Sequence, residues 1–220
     1  YLKEKLWVEF FAYTLQVWEY KCENIDLSFI EENKLRTADK NIAPEMIKYV
    51  EDIASSWNSV WWIIECLIKN PPKNLWEPVF WKIKAILASS MLSIWWVLGF
   101  EYWAWFDTVK HTWISYNEWF INKSWKIVSP NNKYAWILGW ISTWEDITFR
   151  VAVKPTSSIY TKQKTVKKSG EEIDFQISWR HDPCIVPRVI PVIESMAALD
   201  ILDLYLIESN KILIWFLSIK

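Results

Sequence analysis

Two short strings bring together side chains able to hold an anion and to move a proton. Residues 179–188 read WRHDPCIVPR and set Arg180, Asp182 and Cys184 at alternate positions, with Arg188 just beyond. An arginine fork binds an anionic or carbonyl edge through paired N–H donors. A neighbouring carboxylate is a candidate proton relay, its pKa set by what surrounds it. The plain structural alternative is a helix-capping turn with a satisfied ion pair. Residues 151–159, VAVKPTSSI, offer Lys154 as a point charge and Thr156, Ser157 and Ser158 as hydroxyl and backbone donors, a set suited to phosphate. A strand end with a solvated lysine and an ST-turn would use the same residues.

These strings need elements to position them. YLKEKLW reads as a helix end with Trp7 where a glycine stop belongs, and VEFFAYTLQV as a strand. Residues 21–40 are charged and irregular, the pattern of a surface insertion. Pro44 starts a helix with Met46, Ile47, Val50 and Ile53 on one face. VWWIIECLI predicts a strand. A helix over about 78–93 should turn Val79, Ile83, Ile86, Leu87 and Met91 inward, before VLGFEY makes another strand. Residues 103–136 are polar and turn-rich, as functional loops are. ITFRVAVKP reads as a strand ending at Pro155, and the runs flanking KKSGEE as a hairpin. From Arg188 to about Ser209, apolar residues including Ile193, Met196, Ala197, Leu199, Leu202, Leu204 and Leu206 cover much of a helix, which predicts a buried helix or one at a subunit interface. The alternation of strands and helices gives an α/β or α+β layer architecture.

Composition narrows the classes. With 25 basic and 26 acidic residues among 220, the net charge of −1 gives no electrostatic reason for a nucleic-acid or anionic-membrane partner, so an anionic ligand must be held by a local cluster. Three dispersed cysteines, Cys22, Cys66 and Cys184, fit neither a disulfide framework nor a zinc set and point to a reducing compartment. Two histidines, His111 and His181, are too few for a histidine-rich metal site. Glu101 interrupts the most apolar run, so the reading is a cytoplasmic chain with no metal, no membrane span and one domain over residues 1–220.

In order and with sensible spacing, the chain resembles the chorismate synthase family from Tyr1 to about Ser209. WRHDPCIVPRVIPVIESM is similar to the family's carboxy-terminal signature, with Trp179 at its leading glycine. VAVKPTSSI resembles its KPTSSI loop. NNKYAWILGWISTWED resembles an AGILGGISTGE segment in which Trp136, Trp140 and Trp144 fall on glycines and Gly139 stands as itself. LWEPVFWKIKAILASSMLSIWWVLGFEYWAWF resembles a GEPVF start, a helix, a SINAVKG-like turn and a GFEIGxGF strand. WNSVWWIIE resembles GDSVGG and a strand, and YLKEKLWVEFFAYTLQVWE a helix, GIE and YxxQxG.

The resemblance implies an α+β fold, a β-α-β sandwich with helices packed between antiparallel sheets, assembled as a homotetramer. It implies a carbon–oxygen lyase that eliminates phosphate from 5-enolpyruvylshikimate 3-phosphate in a 1,4-anti sense to give chorismate. Reduced FMN is the required cofactor, with NADPH a candidate reductant of the flavin. On this likeness Asp182 is catalytic, near the flavin N5, and Arg180, Gly139, Lys154, Pro155, Thr156, Ser157, Ser158, Trp95 and Trp96 line the flavin. Two departures stand out. The family's amino-terminal third would lie before Tyr1, and with it both histidines that serve as acids; His111 and His181 match neither. A non-catalytic remnant of the same fold is therefore the second reading. An unrelated flavin or nucleotide module is a third, but without a GxGxxG or Walker loop. The other departure is 19 tryptophans against 3 glycines, with tryptophan sitting in turn-like contexts such as WNSVWW and ISTWED. A codon read as tryptophan in place of glycine accounts for it; real indoles at 95, 96, 136 and 140 would fill the flavin pocket.

Overall fold

The computed structural model describes residues 1–75, 79–102, 107–116, 119, 121–123, 126–128, 137–138, 141–142, 145–177 and 184–218. Helix α1 (Leu2–Leu6) leads into β1 (Glu9–Val17), which turns back through a two-residue loop into β2 (Tyr20–Lys21). A 3-10 turn at Leu27–Glu32, α2 (Ala43–Ser55) and β3 (Trp62–Lys69) follow. A second such turn at Val79–Trp81 precedes α3 (Ile83–Ser93) and β4 (Val97–Tyr102). The middle of the chain holds α4 (Trp113–Tyr116), β5 (Ile121–Lys123), β6 (Lys126–Val128), β7 (Ile137–Leu138) and β8 (Ile141–Ser142). Then come β9 (Ile147–Val153), β10 (Gln163–Val166), β11 (Glu172–Phe175) and α5 (Val186–Ser218).

Five strands form one sheet in the order β2-β1-β3-β9-β4, while β5–β6, β7–β8 and β10–β11 are separate antiparallel pairs. Alternation explains β9: Ile147, Phe149, Val151 and Val153 are buried and the residues between them are not fully so, as a pleated strand with one core face requires. Its pairing with β3 is marked by three bonds. Ser59 Oγ donates to the Thr156 carbonyl at 2.7 Å beyond one end, Arg150 Nε donates to Glu65 Oε2 at 2.6 Å in the middle, and the Asn70 N–H donates to Asp146 Oδ1 at 3.0 Å beyond the other. The two strands therefore run antiparallel.

The chain divides into two compact units, one of residues 1–12, 65–151 and 191–220, the other of residues 13–64 and 152–190. In the first, α3 buries Ile83, Leu87 and Met91 at four-residue spacing, and α5 buries Ile193, Ala197, Ile201 and Leu204 along one stripe. Ser90 Oγ of α3 donates to Asp200 Oδ1 of α5 at 2.7 Å. Glu194 Oε1 accepts the Ala12 N–H of β1 at 2.8 Å. In the second unit α2 buries Ala43, Met46 and Val50, and Tyr49 meets Tyr20 with ring centroids 5.4 Å apart.

Two expectations change. The stretch 21–40 is not a loose surface insertion: Cys22, Ile30, Leu35, Thr37, Ala38 and Asp39 are buried, and Thr37 bridges Thr14 of β1. Polar residues mask this packing because their hydrogen bonds are internal: Asp39 Oδ2 accepts the Glu23 and Asn24 N–H groups at 2.9 Å each, and Oδ1 that of Asn41 at 3.0 Å. The helix expected from 78 starts at Ile83, since Lys82 is extended and Val79 sits at φ 56°, leaving Val79 exposed. On α5 the described residues bury one face within this chain and leave Val192, Leu199 and Leu206 exposed, which agrees with either part of the expectation.

The tryptophan expectation gains a backbone basis. Trp7 ends α1 at φ 59°, ψ 24°, and Trp18 opens the two-residue β1–β2 loop at φ 52°. Both indoles are exposed, 77% and 59%, so little packing offsets the left-handed strain. Trp7→Gly and Trp18→Gly should each raise stability by about 0.5–1 kcal/mol, the relief of strain less the extra chain entropy of glycine. Urea denaturation checks this, and a lowered midpoint for both would refute it.

Burial pushes the Asp200 carboxyl up to about 6, with Asp203 adding and the Ser90 hydroxyl opposing. A raised carboxylate favours the folded state when protonated, so stability should fall as pH rises from the ordinary 3.8 through about 6. Asp200→Asn should flatten that window and add on the order of 2 kcal/mol near neutral pH. Denaturation curves at both ends of the window decide it; an unchanged slope counts against the buried carboxyl.

Candidate functional site

The donor-rich string leaves the sheet at the carboxy end of β9. Alternation along ITFRVAV ends at Val153, and Pro155 cannot extend a ladder because it has no N–H. The chain turns out as Lys154–Ser158, with Lys154, Pro155, Thr156 and Ser158 half-buried and Ser157 exposed. Ser59, in the connection from α2 to β3, fixes this loop through the Thr156 carbonyl. Two residues on, the Tyr160 ring lies with its centroid 4.9 Å from that of Trp57. The loop is thus a strand-end segment pinned at its middle, and its sequence carries one ammonium and three hydroxyls.

Such a set can bind an anion through one point charge and short-range donors. It fits a phosphate or the carbonyl-bearing edge of a flavin. Burial holds the Cys66 thiol well above its usual pKa, with Glu194 and Glu65 adding, and burial also raises Cys22, against a hydrogen bond with Thr37. Thiolates are the reactive form, so both thiols are inert. Among the described residues no cluster of histidine, cysteine or carboxylate side chains could hold a metal ion, and no helix is long and apolar enough to cross a membrane.

Trp95 and Trp96 form the turn between α3 and β4 and are exposed, 78% and 40%. Their indoles reach into solvent. They belong to the first unit and Lys154–Ser158 to the second. Gly139, Arg180 and Asp182 lie outside the described residues, as do His181 and Trp136, Trp140, Trp144 and Trp179. His111 is exposed after a 3-10 turn. Ser59 was not singled out from sequence. Its signal is positional only, since a short polar residue just before one strand can reach the loop after its antiparallel neighbour.

A sequence model of the family described as chorismate synthase matches residues 1–206. The chain belongs to the chorismate synthase family. Curated chorismate synthases agree: that of Christiangramia forsetii is 41% identical over 189 residues, covering 86% of this chain and 52% of the relative. Those of Phocaeicola vulgatus and Synechocystis are 37% and 35% identical, covering 93% and 89% of this chain and 58% and 56% of the relatives. A crystal structure of chorismate synthase superposes with a TM-score of 0.75 over 94% of this chain and 59% of that one, at 16% identity, which shows the same α+β fold. The chain spans about half the length of the curated chorismate synthases it matches.

Ser59→Ala should free the 154–158 loop from the β3 side. Losing one half-buried hydrogen bond is expected to cost about 1 kcal/mol, with faster amide hydrogen exchange in the loop but not in β9. Exchange that stays unchanged in the loop would show that Ser59 does not hold it.

Proposed function

We propose that the protein containing this chain is a chorismate synthase, a lyase that removes phosphate and a ring proton from 5-enolpyruvylshikimate 3-phosphate to give chorismate, using reduced FMN. Family membership over residues 1–206 carries this reading, and the pinned, donor-rich loop at the end of β9 supports it. Bound reduced FMN supplies the electron-rich partner that lets phosphate depart with no net redox change. The chain's own residues then position and neutralise. Lys154 balances negative charge on the bound groups, and Thr156, Ser157 and Ser158 donate to oxygen atoms at the flavin edge. Pro155 keeps the loop out of the ladder and so open to a ligand. Gly139, with no side chain, lets a flat ring approach the backbone. The family resemblance also assigns Trp95 and Trp96 to flavin contact. Arg180 holds an anionic or carbonyl edge with its fork. Asp182 receives and passes the proton.

NADPH as flavin reductant, a cytoplasmic location and a homotetramer complete the proposal, with residues 1–220 part of a single catalytic domain. Exposed Val192, Leu199 and Leu206, seven residues apart along α5, support a subunit contact there.

Chorismate formation, assayed without oxygen on the complete protein with reduced FMN, tests this. Asp182→Ala should lower kcat on the order of a hundredfold or more, while Lys154→Met should weaken FMN binding by roughly tenfold. Full activity in Asp182→Ala would remove its role, and a complete protein that binds FMN yet makes no chorismate would favour the remnant reading.

A further inference from the structure

Among the described residues, seven other than glycine have left-handed φ, and three of them are tryptophan: Trp7, Trp18 and Trp57, at φ 59°, 52° and 58°. In this region Cβ crowds the following carbonyl, which only glycine avoids and which asparagine tolerates. Each tryptophan also sits where a named motif asks for glycine. Trp7 follows α1 and gives its N–H to the Lys3 carbonyl, the bond of an αL cap. After α2, the Trp57 N–H bonds the Ala54 carbonyl and the Asn58 N–H bonds that of Ile53, the paired bonds of a Schellman cap with Trp57 as its left-handed residue. Trp18 is the first of two loop residues between the paired Val17 and Tyr20, and Glu19 is not left-handed, which is the pattern of a type II′ turn.

Trp57 meets the Tyr160 ring at 4.9 Å between centroids, but none of the three side chains is buried. Trp7, Trp18 and Trp57 are exposed 77%, 59% and 53%, and five further indoles, at 61, 81, 95, 96 and 119, are exposed 40% or more. Tryptophan is ordinarily among the most buried residues on average, whereas glycine in turns is ordinarily at the surface. Three glycines in 220 residues is also far below the roughly 7% usual for a globular chain.

We infer that positions 7, 18 and 57 are glycine in the protein as its own cells make it, and that one codon, read there as glycine and elsewhere as tryptophan, encodes them. The inference stands on backbone geometry within each motif and does not depend on the proposed activity. It extends to every other tryptophan that shares the codon, including the turn at 95–96, which would then present bare backbone to a ligand.

The test is direct: sequence the gene at these three codons, and identify the residues by tandem mass spectrometry of peptides from protein purified out of the cells that carry the gene. The expected result is the same UGA codon at all three positions and glycine in all three peptides. UGG at any of them, or tryptophan in any of the three peptides, overturns the inference. Neither reading requires a variant to fold.

Discussion

The antiparallel pairing of β3 with β9 is the constraint on which the rest depends. Ser59–Thr156, Glu65–Arg150 and Asn70–Asp146 keep one register, within a residue, along the length of the pair. The middle bond joins a buried carboxylate to a half-buried guanidinium, and such a pair is costly to break because the survivor stays charged in the interior. Side chains alternate along a strand, so a slip of one residue would turn Phe149 and Val151 out of the core. It would also displace the loop that begins at Lys154, since the end of β9 fixes where that loop emerges.

Much of this was legible in the residues. The run ITFRVAVKP marked β9, and the breaker-rich KKSGEE marked the β10–β11 turn, where Gly170 adopts φ 87°. Four-residue spacing found the buried faces of α2 and α3. Illegible were the features built from polar atoms at long sequence distance. Asp39 reads as one more charge in an acidic stretch, yet the Asn24 amide first, with Glu23, Asn41 and Ile42, holds its carboxyl below the usual range against burial. A carboxylate saturated by backbone donors can organise an interior as well as an apolar side chain can.

The site was legible in part, and for a physical reason. Short-range chemistry leaves a mark in sequence: a lysine, a proline and three hydroxyls in a row suggest an anion loop wherever they sit. What such a string does not carry is its support. Ser59 reaches Thr156 only because the sheet brings residues nearly a hundred positions apart together. The helix α5 shows the opposite case. Apolar residues over much of its girth say it can be buried widely, and within this chain the stripe through Ile193, Ala197 and Ile201 is covered. Apolar composition fixes what a face prefers, and topology decides whether a partner arrives.

The β10–β11 hairpin has a practical consequence. Among the described residues its strands pair only with each other, their residues are almost all exposed, and its tip carries Lys167 and Lys168 beside Gly170. Backbone hydrogen bonds open to water and unsupported by a core break and re-form most readily. Trypsin should find its first cut at this tip, and a tag or reporter spliced in there would disturb neither the sheet nor the helices.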